Sequence, residues 1–430
     1  MNNRLAAYLE KYNLLSTRQY GFRSGRSTED AVSELTKLIT REIDGRNKVI
    51  GVFLDLAKAF DTVSVPTLIK KLEYLGIRGS ALNLFKSYLS DRTQRTKVAN
   101  IVSEEETVTY GVPQGSVLGP SLFLVYVNEL CNTALINGSI FSYADDTALV
   151  FVGKTWEEAR THAQLGLNIV AKWLSENLLT LNVSKTKFIR FTTNRRKIAP
   201  IELAIHKNCK DDFCNDCPKL QEVSNIKYLG VMLDKHLSWR EHISAFTKRV
   251  RKLIYIFKQL RNFADKKLIF EVYRALCESI LSYCISVWGG ACKTLIIQLE
   301  RAQRAVLKVA ISKPYDFPTD ELYKLTKTLT VRQLFIRKSI LTQHRHTSNT
   351  EITKNLCNKR RKDKVCRLPK TNSALAQHQQ YFLGPLLYNN VSRVIENFNV
   401  MNTRNAKFAV NKWLMTLKYD ETENLIQIMK

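Results

Sequence analysis

The chain has 430 residues, long enough for two or three domains with cores of their own. Lysine and arginine total 66 against 39 acids, a net charge of +27, so a polyanion is the expected counterpart and nucleic acid is favoured over an anionic membrane, for which no basic amphipathic anchor is present. No apolar run approaches the roughly 18 residues of a membrane helix, the polar start Met1–Glu10 lacks a signal-peptide core, and nine scattered cysteines form no disulfide framework, which together predict an intracellular protein.

Residues 1–47 read as mainly helical, broken by the glycine-punctuated loop Gly21-Phe22-Arg23-Ser24-Gly25-Arg26. Ser27 or Thr28 caps the helix that follows, with Glu29 and Asp30 in its first turn. Val49–Leu54 is a short apolar strand, and a helical pattern then covers 65–89, with Leu68, Ile69, Leu72 and Leu75 on one face. Gly111–Pro120 is a loop leading into an apolar helix over 122–130. Phe141–Phe151 reads as strand, tight turn, strand, followed by a helix over 156–177 and strands at 187–191 and 228–233. From 236 onward the chain is helical and basic: Ile243, Phe246, Val250, Leu253, Phe257 and Leu260 recur at helical spacing, interleaved with Lys248, Arg249, Arg251, Lys252, Lys258 and Arg261. Helical pattern continues over 268–288 and 295–309 and weakens after about Thr347, and Lys359–Lys364 is a basic run suited to a solvated linker, a nuclear-import patch or a further nucleic-acid contact.

Chemistry concentrates in the hairpin. Asp145 and Asp146 are neighbouring carboxylates at a turn between apolar strands, costly unless a cation neutralises them. Magnesium or manganese suits such hard oxygen ligands. Asp55 ends the earlier strand and is a third candidate ligand, with a helix cap as the competing role. Two divalent ions a few ångströms apart use acids in this way to clamp both oxygens of a phosphoryl displacement.

Four blocks then stand in order: FLDLAKAFDTV (53–63), GVPQGSVLGPSLFLVYVNEL (111–130), YADD (143–146) and LNVSKTKFIRF (181–191). This ordered set resembles the palm motifs of reverse transcriptases, in the manner of non-LTR (LINE-type) retrotransposons and especially the jockey-like elements of insects. QYGFRSGRSTEDAV (19–32) resembles the fingers motif of that family, and IKYLGVMLD (226–234) its primer-grip region; the likeness runs over about residues 12–345. It implies an α+β, right-hand polymerase: partial fingers over 1–47, a palm of antiparallel sheet and helices over 48–235, a helical thumb and following helices over 236–347, and a basic C-terminal extension over 348–430.

By position, the resemblance makes Asp55, Asp145 and Asp146 the metal-binding and catalytic acids for two Mg2+ (or Mn2+) ions, with direct ligation by Asp146 the less certain. Phe60, after Lys58 and Ala59 in the same substrate-binding turn, matches the bulky side chain that excludes a 2′-hydroxyl, with core packing as its bland alternative. Gln114 lies beside the incoming nucleotide, and Arg23, ahead of Arg26, is a triphosphate contact. Lys185 or Lys187 is the proton donor to pyrophosphate. The implied partners are an RNA template, a DNA primer or target DNA, and dNTPs, with a nuclear location and no membrane.

Two expectations lie outside that set. His206, Cys209, Cys214 and Cys217 offer four zinc-type ligands within twelve residues, although a solvated insertion is the stronger reading. Fewer residues precede Gly21 than family members carry, so an N-terminally truncated form is expected, and a non-catalytic, nucleic-acid-binding remnant stands as the alternative to the polymerase.

Overall fold

A computed structural model describes residues 1–194, 199–206, 217–349 and 365–426. The described chain forms two compact units, one of residues 1–35 and 46–230 and one of 36–45 and 231–430. Cys209, Cys214 and Lys359–Lys364 lie outside the described residues.

The first unit begins with α1 (Asn2–Lys11) and the start of α2 (Thr28–Asp44). Ser27 caps α2: its Oγ accepts from the Asp30 amide at 3.2 Å while the Asp30 carboxylate accepts from the Ser27 amide at 2.8 Å. Strand β1 (Lys48–Leu54) is buried at every position after the first, so its side chains are apolar in a continuous run rather than alternating. After it come α3 (Val65–Tyr74) and α4 (Gly79–Leu89). The single helix expected over 65–89 is split at Gly76, whose φ of +90° a helix interior does not accommodate, and α4 starts afresh at Gly79. Four short strands follow, β2 (Arg92–Gln94), β3 (Lys97–Val98), β4 (Ile101–Val102) and β5 (Glu106–Val108), none of which the sequence pattern predicts.

Helix α5 (Gly119–Asn132) is buried on almost every side and anchors the core through Phe123 and Tyr126. The hairpin β6 (Gly138–Tyr143) and β7 (Asp146–Gly153), helix α6 (Trp156–Glu176), and strands β8 (Lys187–Phe191), β9 (Gln221–Glu222) and β10 (Asn225–Tyr228) complete this unit. The main sheet runs in the order β6-β7-β1-β8-β9, antiparallel except for β8-β9. Helix α6 packs against β7 and β1.

The strand expected over 228–233 is two strands, because Leu229 and Gly230 turn the chain at φ of +45° and +79°; β11 (Val231–Asp234) opens the second unit. That unit is helical. Helix α7 (Arg240–Leu260) buries His242, Ile243, Phe246, Val250, Leu253 and Phe257 and packs on α11 (Lys293–Ala310) by way of α8 (Lys266–Tyr273), α9 (Ser279–Ser282) and α10 (Ile285–Trp288) in sequence. The one helix expected over 268–288 is interrupted by a π turn at Arg274–Glu278 and by Cys284, whose φ is +49°. Beyond α12 (Thr319–Thr326), α13 (Val331–Asn349) packs on α10, on α15 (Gln380–Val394) and on α16 (Thr403–Thr416), with α14 (Ala374–Gln377) and α17 (Tyr419–Asn424) completing the fold. Arg332 on α13 is 1% exposed in its side chain: it donates to Glu423 at 2.9 Å and to the Gly289 and Ala291 carbonyls, tying the last helix to the rest. Among the described residues no helix is long and apolar enough to cross a membrane.

Candidate active site

The aspartates meet at one end of the main sheet for reasons of register. Leu54 pairs with Thr147 across β1 and β7, and Tyr143 pairs with Asp146 across β7 and β6. Asp55 follows Leu54 and Asp146 precedes Thr147, so continuing the antiparallel register sets Asp55 opposite Asp146 on one face. Ala144 and Asp145 make the turn, and Ala144 takes the left-handed conformation that a two-residue hairpin turn demands, with φ of +58°. Asp55 is fixed from behind: its amide donates to Thr186 Oγ1 at 3.2 Å, and its carbonyl accepts from the Asn182 amide at 2.8 Å. The LNVSKTK segment therefore serves as a brace for the first acid.

Asp146 feels the two other acids. Asp146 is exposed as a residue, yet its carboxyl is held protonated to higher pH than an ordinary carboxylate, first by desolvation where protein packs around it and then by the charges of Asp145 and Asp55. Lys185 approaches Asp55 Oδ2 at 3.9 Å, but both side chains are well exposed, so this pair offsets little of that charge. Beneath the site the Tyr228 ring packs edge-on to Phe53 at 5.4 Å, and its hydroxyl donates to the Phe141 carbonyl at 3.3 Å. Burial, and next the Asp146 charge, push that phenol up. All three acids offer hard oxygen ligands, which fit a divalent cation such as Mg2+ or Mn2+. Among the described residues, however, no three His, Cys, Asp or Glu side chains are spaced as a ready-made metal site.

A second group adjoins Asp55 in sequence. Lys58 is exposed with φ of +48°, Ala59 is buried, and Phe60 is half-buried with its ring stacked on Phe123 at 4.3 Å between centroids. The Gly111–Gly119 loop docks on this turn: the Val112 amide donates to the Phe60 carbonyl at 3.0 Å, and Gly111, at φ of +82°, lies so close to the Asp61 backbone that a Cβ would stand 2.9 Å from it. Gln114 Nε2 donates to Asp61 Oδ1 at 2.5 Å.

Arg23 is engaged by neighbours within its own segment of the chain. Its guanidinium grips Glu10 as a fork, at 2.8 and 2.7 Å, and donates to the Ser16 carbonyl at 2.6 Å. The bonds from Arg23 hold the Glu10 carboxyl below the usual carboxylate range. Arg26 is more open, donating to the Thr17 carbonyl at 2.7 Å with its guanidinium 5.1 Å from the Tyr20 ring centroid. Lys187 donates to Gln221 at 2.6 Å, along the sheet. Of the zinc-type set, His206 buries both ring nitrogens without a partner among the described residues and Cys217 is buried.

Two residues that sequence reasoning missed stand in the framework of the site. Thr186 receives the Asp55 amide. Gln19 reaches the aspartate turn itself: its Oε1 accepts from the Ala144 amide at 3.0 Å and from the Gly21 amide at 2.8 Å, and its Nε2 donates to Ser142 Oγ at 3.1 Å. Gly21 packs directly on the same turn, where a Cβ would meet the Ala144 nitrogen at 2.5 Å. The polar residue in the short run between α1 and the glycine loop was the available signal for Gln19.

Comparison with known proteins bears on this geometry. The family described as "Reverse transcriptase (RNA-dependent DNA polymerase)" matches residues 1–233. The chain is similar to the probable RNA-directed DNA polymerase from transposon BS of Drosophila melanogaster, 32% identical over 73% of this chain and 34% of that protein. It is similar also to the RNA-directed DNA polymerase from mobile element jockey of Drosophila funebris, 25% identical over 74% of this chain and 34% of that protein. The chain thus spans about a third of the length of the curated relatives it matches. Among solved structures, apo telomerase from Candida tropicalis aligns with a TM-score of 0.40 at 10% identity, over 79% of this chain and 58% of that one.

Proposed function

From a chain that belongs to the reverse transcriptase family, we propose an RNA-directed DNA polymerase of a non-LTR retrotransposon, extending a DNA primer or nicked target DNA with dNTPs on an RNA template. The observation that carries this reading is the register that sets Asp55 opposite Asp146, with Asp145 in the turn between the strands.

Asp55 and Asp145, with Asp146 beside them, are the ligands for Mg2+ or Mn2+. Bound there, such ions favour the ionised primer 3′-hydroxyl and neutralise the leaving pyrophosphate. The residues of the chain do the positioning. The 3′-oxygen forms its bond to the α-phosphorus as the bridging bond to the β-phosphate breaks, the 3′-hydroxyl proton passes to solvent, and exposed Lys185 beside Asp55 supplies a proton to the departing pyrophosphate. Gln114 and the Lys58–Phe60 turn flank the nucleotide, with the Phe60 ring denying space to a 2′-hydroxyl. Arg26, half-buried and, among the described residues, with no ion pair to hold its charge as Glu10 holds that of Arg23, is the better candidate to meet a triphosphate. The exposed basic residues of α7, with Tyr255 between them, suit the phosphate backbone of the duplex, while the opposite face of that helix packs. A nuclear site of action agrees with such a role.

The test is primer extension on an RNA template with Mg2+ or Mn2+. Incorporation that vanishes in Asp145→Asn, with RNA binding retained, supports the polymerase. A second reading, nucleic-acid binding without catalysis, draws on the lack of a ready-made three-ligand metal cluster among the described residues. Wild-type protein that incorporates no more than the variant establishes that reading instead.

A further inference from the structure

We propose that Gln19 is the positioning residue of the aspartate turn, holding Ala144 and Asp145 in the geometry that the metal ligands require. The proposal rests on the reading of the aspartates as metal ligands given above. Gln19 is 1% exposed, and its amide meets three groups around one turn. Oε1 accepts from the amide of Ala144, the residue just before Asp145. The same oxygen accepts from the Gly21 amide, and Nε2 donates to Ser142 Oγ, whose own hydroxyl lies 3.0 Å from the Ala144 carbonyl. The peptide groups on either side of Ala144 are therefore engaged from one side chain, directly at the Ala144 N–H and through Ser142 at the Ala144 C=O.

The turn needs such help. Ala144 is an L-residue with a side chain at φ of +58°, a conformation that costs about 1 kcal/mol or more. The backbone around Gln19 is itself held: the Tyr20 amide donates to the Ser142 carbonyl at 2.8 Å, the Ser142 amide donates to the Arg18 carbonyl at 3.0 Å, and the Arg23–Glu10 fork closes the loop from the other side. Arg23 thus acts on the site through Gln19, with its guanidinium inside the fold. Groups that orient a ligand from behind typically change metal affinity or activity by about ten- to hundred-fold when removed.

The experiment compares wild type, Gln19→Met, Gln19→Glu and Asp145→Asn in three readouts. These are free Mn2+ by electron paramagnetic resonance during titration, kcat and KM for dNTP in primer extension, and deuterium uptake of the peptide spanning 141–147. Methionine keeps the length and packing but neither hydrogen-bond function, whereas glutamate keeps the acceptor for both amides. Gln19→Met is expected to weaken Mn2+ binding and lower kcat by about ten-fold or more, with KM for dNTP within about two-fold, and to speed exchange at the Ala144 amide. Gln19→Glu is expected to keep exchange protection and to stay within about three-fold of wild type in Mn2+ affinity. Wild-type behaviour of Gln19→Met, or equal losses in both variants, overturns the proposal while wild-type activity keeps the polymerase reading intact. If Gln19→Met does not fold, loss of exchange protection in Gln19→Glu overturns it. A wild-type protein that neither binds Mn2+ nor extends primer, like Asp145→Asn, overturns the polymerase reading and this one with it.

Discussion

Gln114 donates a 2.5 Å hydrogen bond from its side-chain amide to Asp61, six residues after Asp55. The pair joins the Gly111–Gly119 loop to the turn that carries Lys58, Ala59 and Phe60, and both partners are exposed, so the bond organises a surface rather than a core. Asp61→Ala is expected to leave melting within about 0.5 kcal/mol of wild type and to raise KM for dNTP by roughly three- to ten-fold, with kcat less affected. Gln114→Ala should do the same, and the double variant should lose less than the two single losses combined, as for partners in one contact. Steady-state primer extension measures all three.

One substitution separates the observed packing of Phe60 from the sugar selection proposed for it. Its ring stacks on buried Phe123, so Phe60→Ala is expected to cost about 2 kcal/mol in urea unfolding. As the barrier to a 2′-hydroxyl it should also permit ribonucleotide incorporation at least about ten-fold more readily relative to dNTP. A loss of stability with unchanged sugar selectivity assigns the ring to packing alone.

Helix α7 presents Lys248, Arg251, Lys252 and Lys258 on its exposed side, at helical spacing around exposed Tyr255. Alanine at Lys248 and Lys252 together is expected to weaken RNA–DNA duplex binding uniformly across sequences. It should also reduce the slope of log affinity against log salt by about one per side chain, without a change in melting. Fluorescence anisotropy at three salt concentrations reads the effect.

His242 gives the second unit a pH dependence. The imidazole is 1% exposed, its Nδ1 accepts from the Met232 amide at 3.3 Å, its Nε2 has no partner among the described residues, and it packs on Phe246 and Trp288. Burial pushes it down to about 4 from an unfolded value near 6.5. A depressed value means the unfolded chain takes up the proton first. This contribution is whole above about pH 6.5 and is lost as pH falls toward 4, amounting to about 3 kcal/mol. Urea unfolding at pH 7.0 and 4.5 should show that loss in wild type and a smaller one in His242→Met.

Much of the site was legible because its chemistry is local. Two adjacent acids between β-branched and aromatic residues point to a bound cation on their own; β1 and β7 follow from uninterrupted apolar runs, and α6 from apolar residues three and four apart. What remained hidden depends on distance along the chain. Gln19 acts on a residue 125 positions away, through side chain to backbone, and no spacing announces that. Arg23 reads as a phosphate ligand from its residue type, yet Glu10, which belongs to no motif, engages it. Helix α13 buries Leu334, Phe335, Ile336 and Ile340 around its circumference between three other helices, so it lacks the one-sided stripe that reveals a surface helix. The break in 268–288 is silent in the sequence because a π turn shifts phase without interrupting the apolar run.

Gly21 has a mechanical consequence. Backbone lies on backbone between this residue and Ala144, with no side chain in the gap to rotate or yield. Packed interfaces of that kind deform in steps rather than continuously. A shift of the Gly21 loop is therefore passed to the aspartate turn without slack, as between meshed teeth. A single methyl at position 21 would stand 2.5 Å from the Ala144 nitrogen and jam the gear.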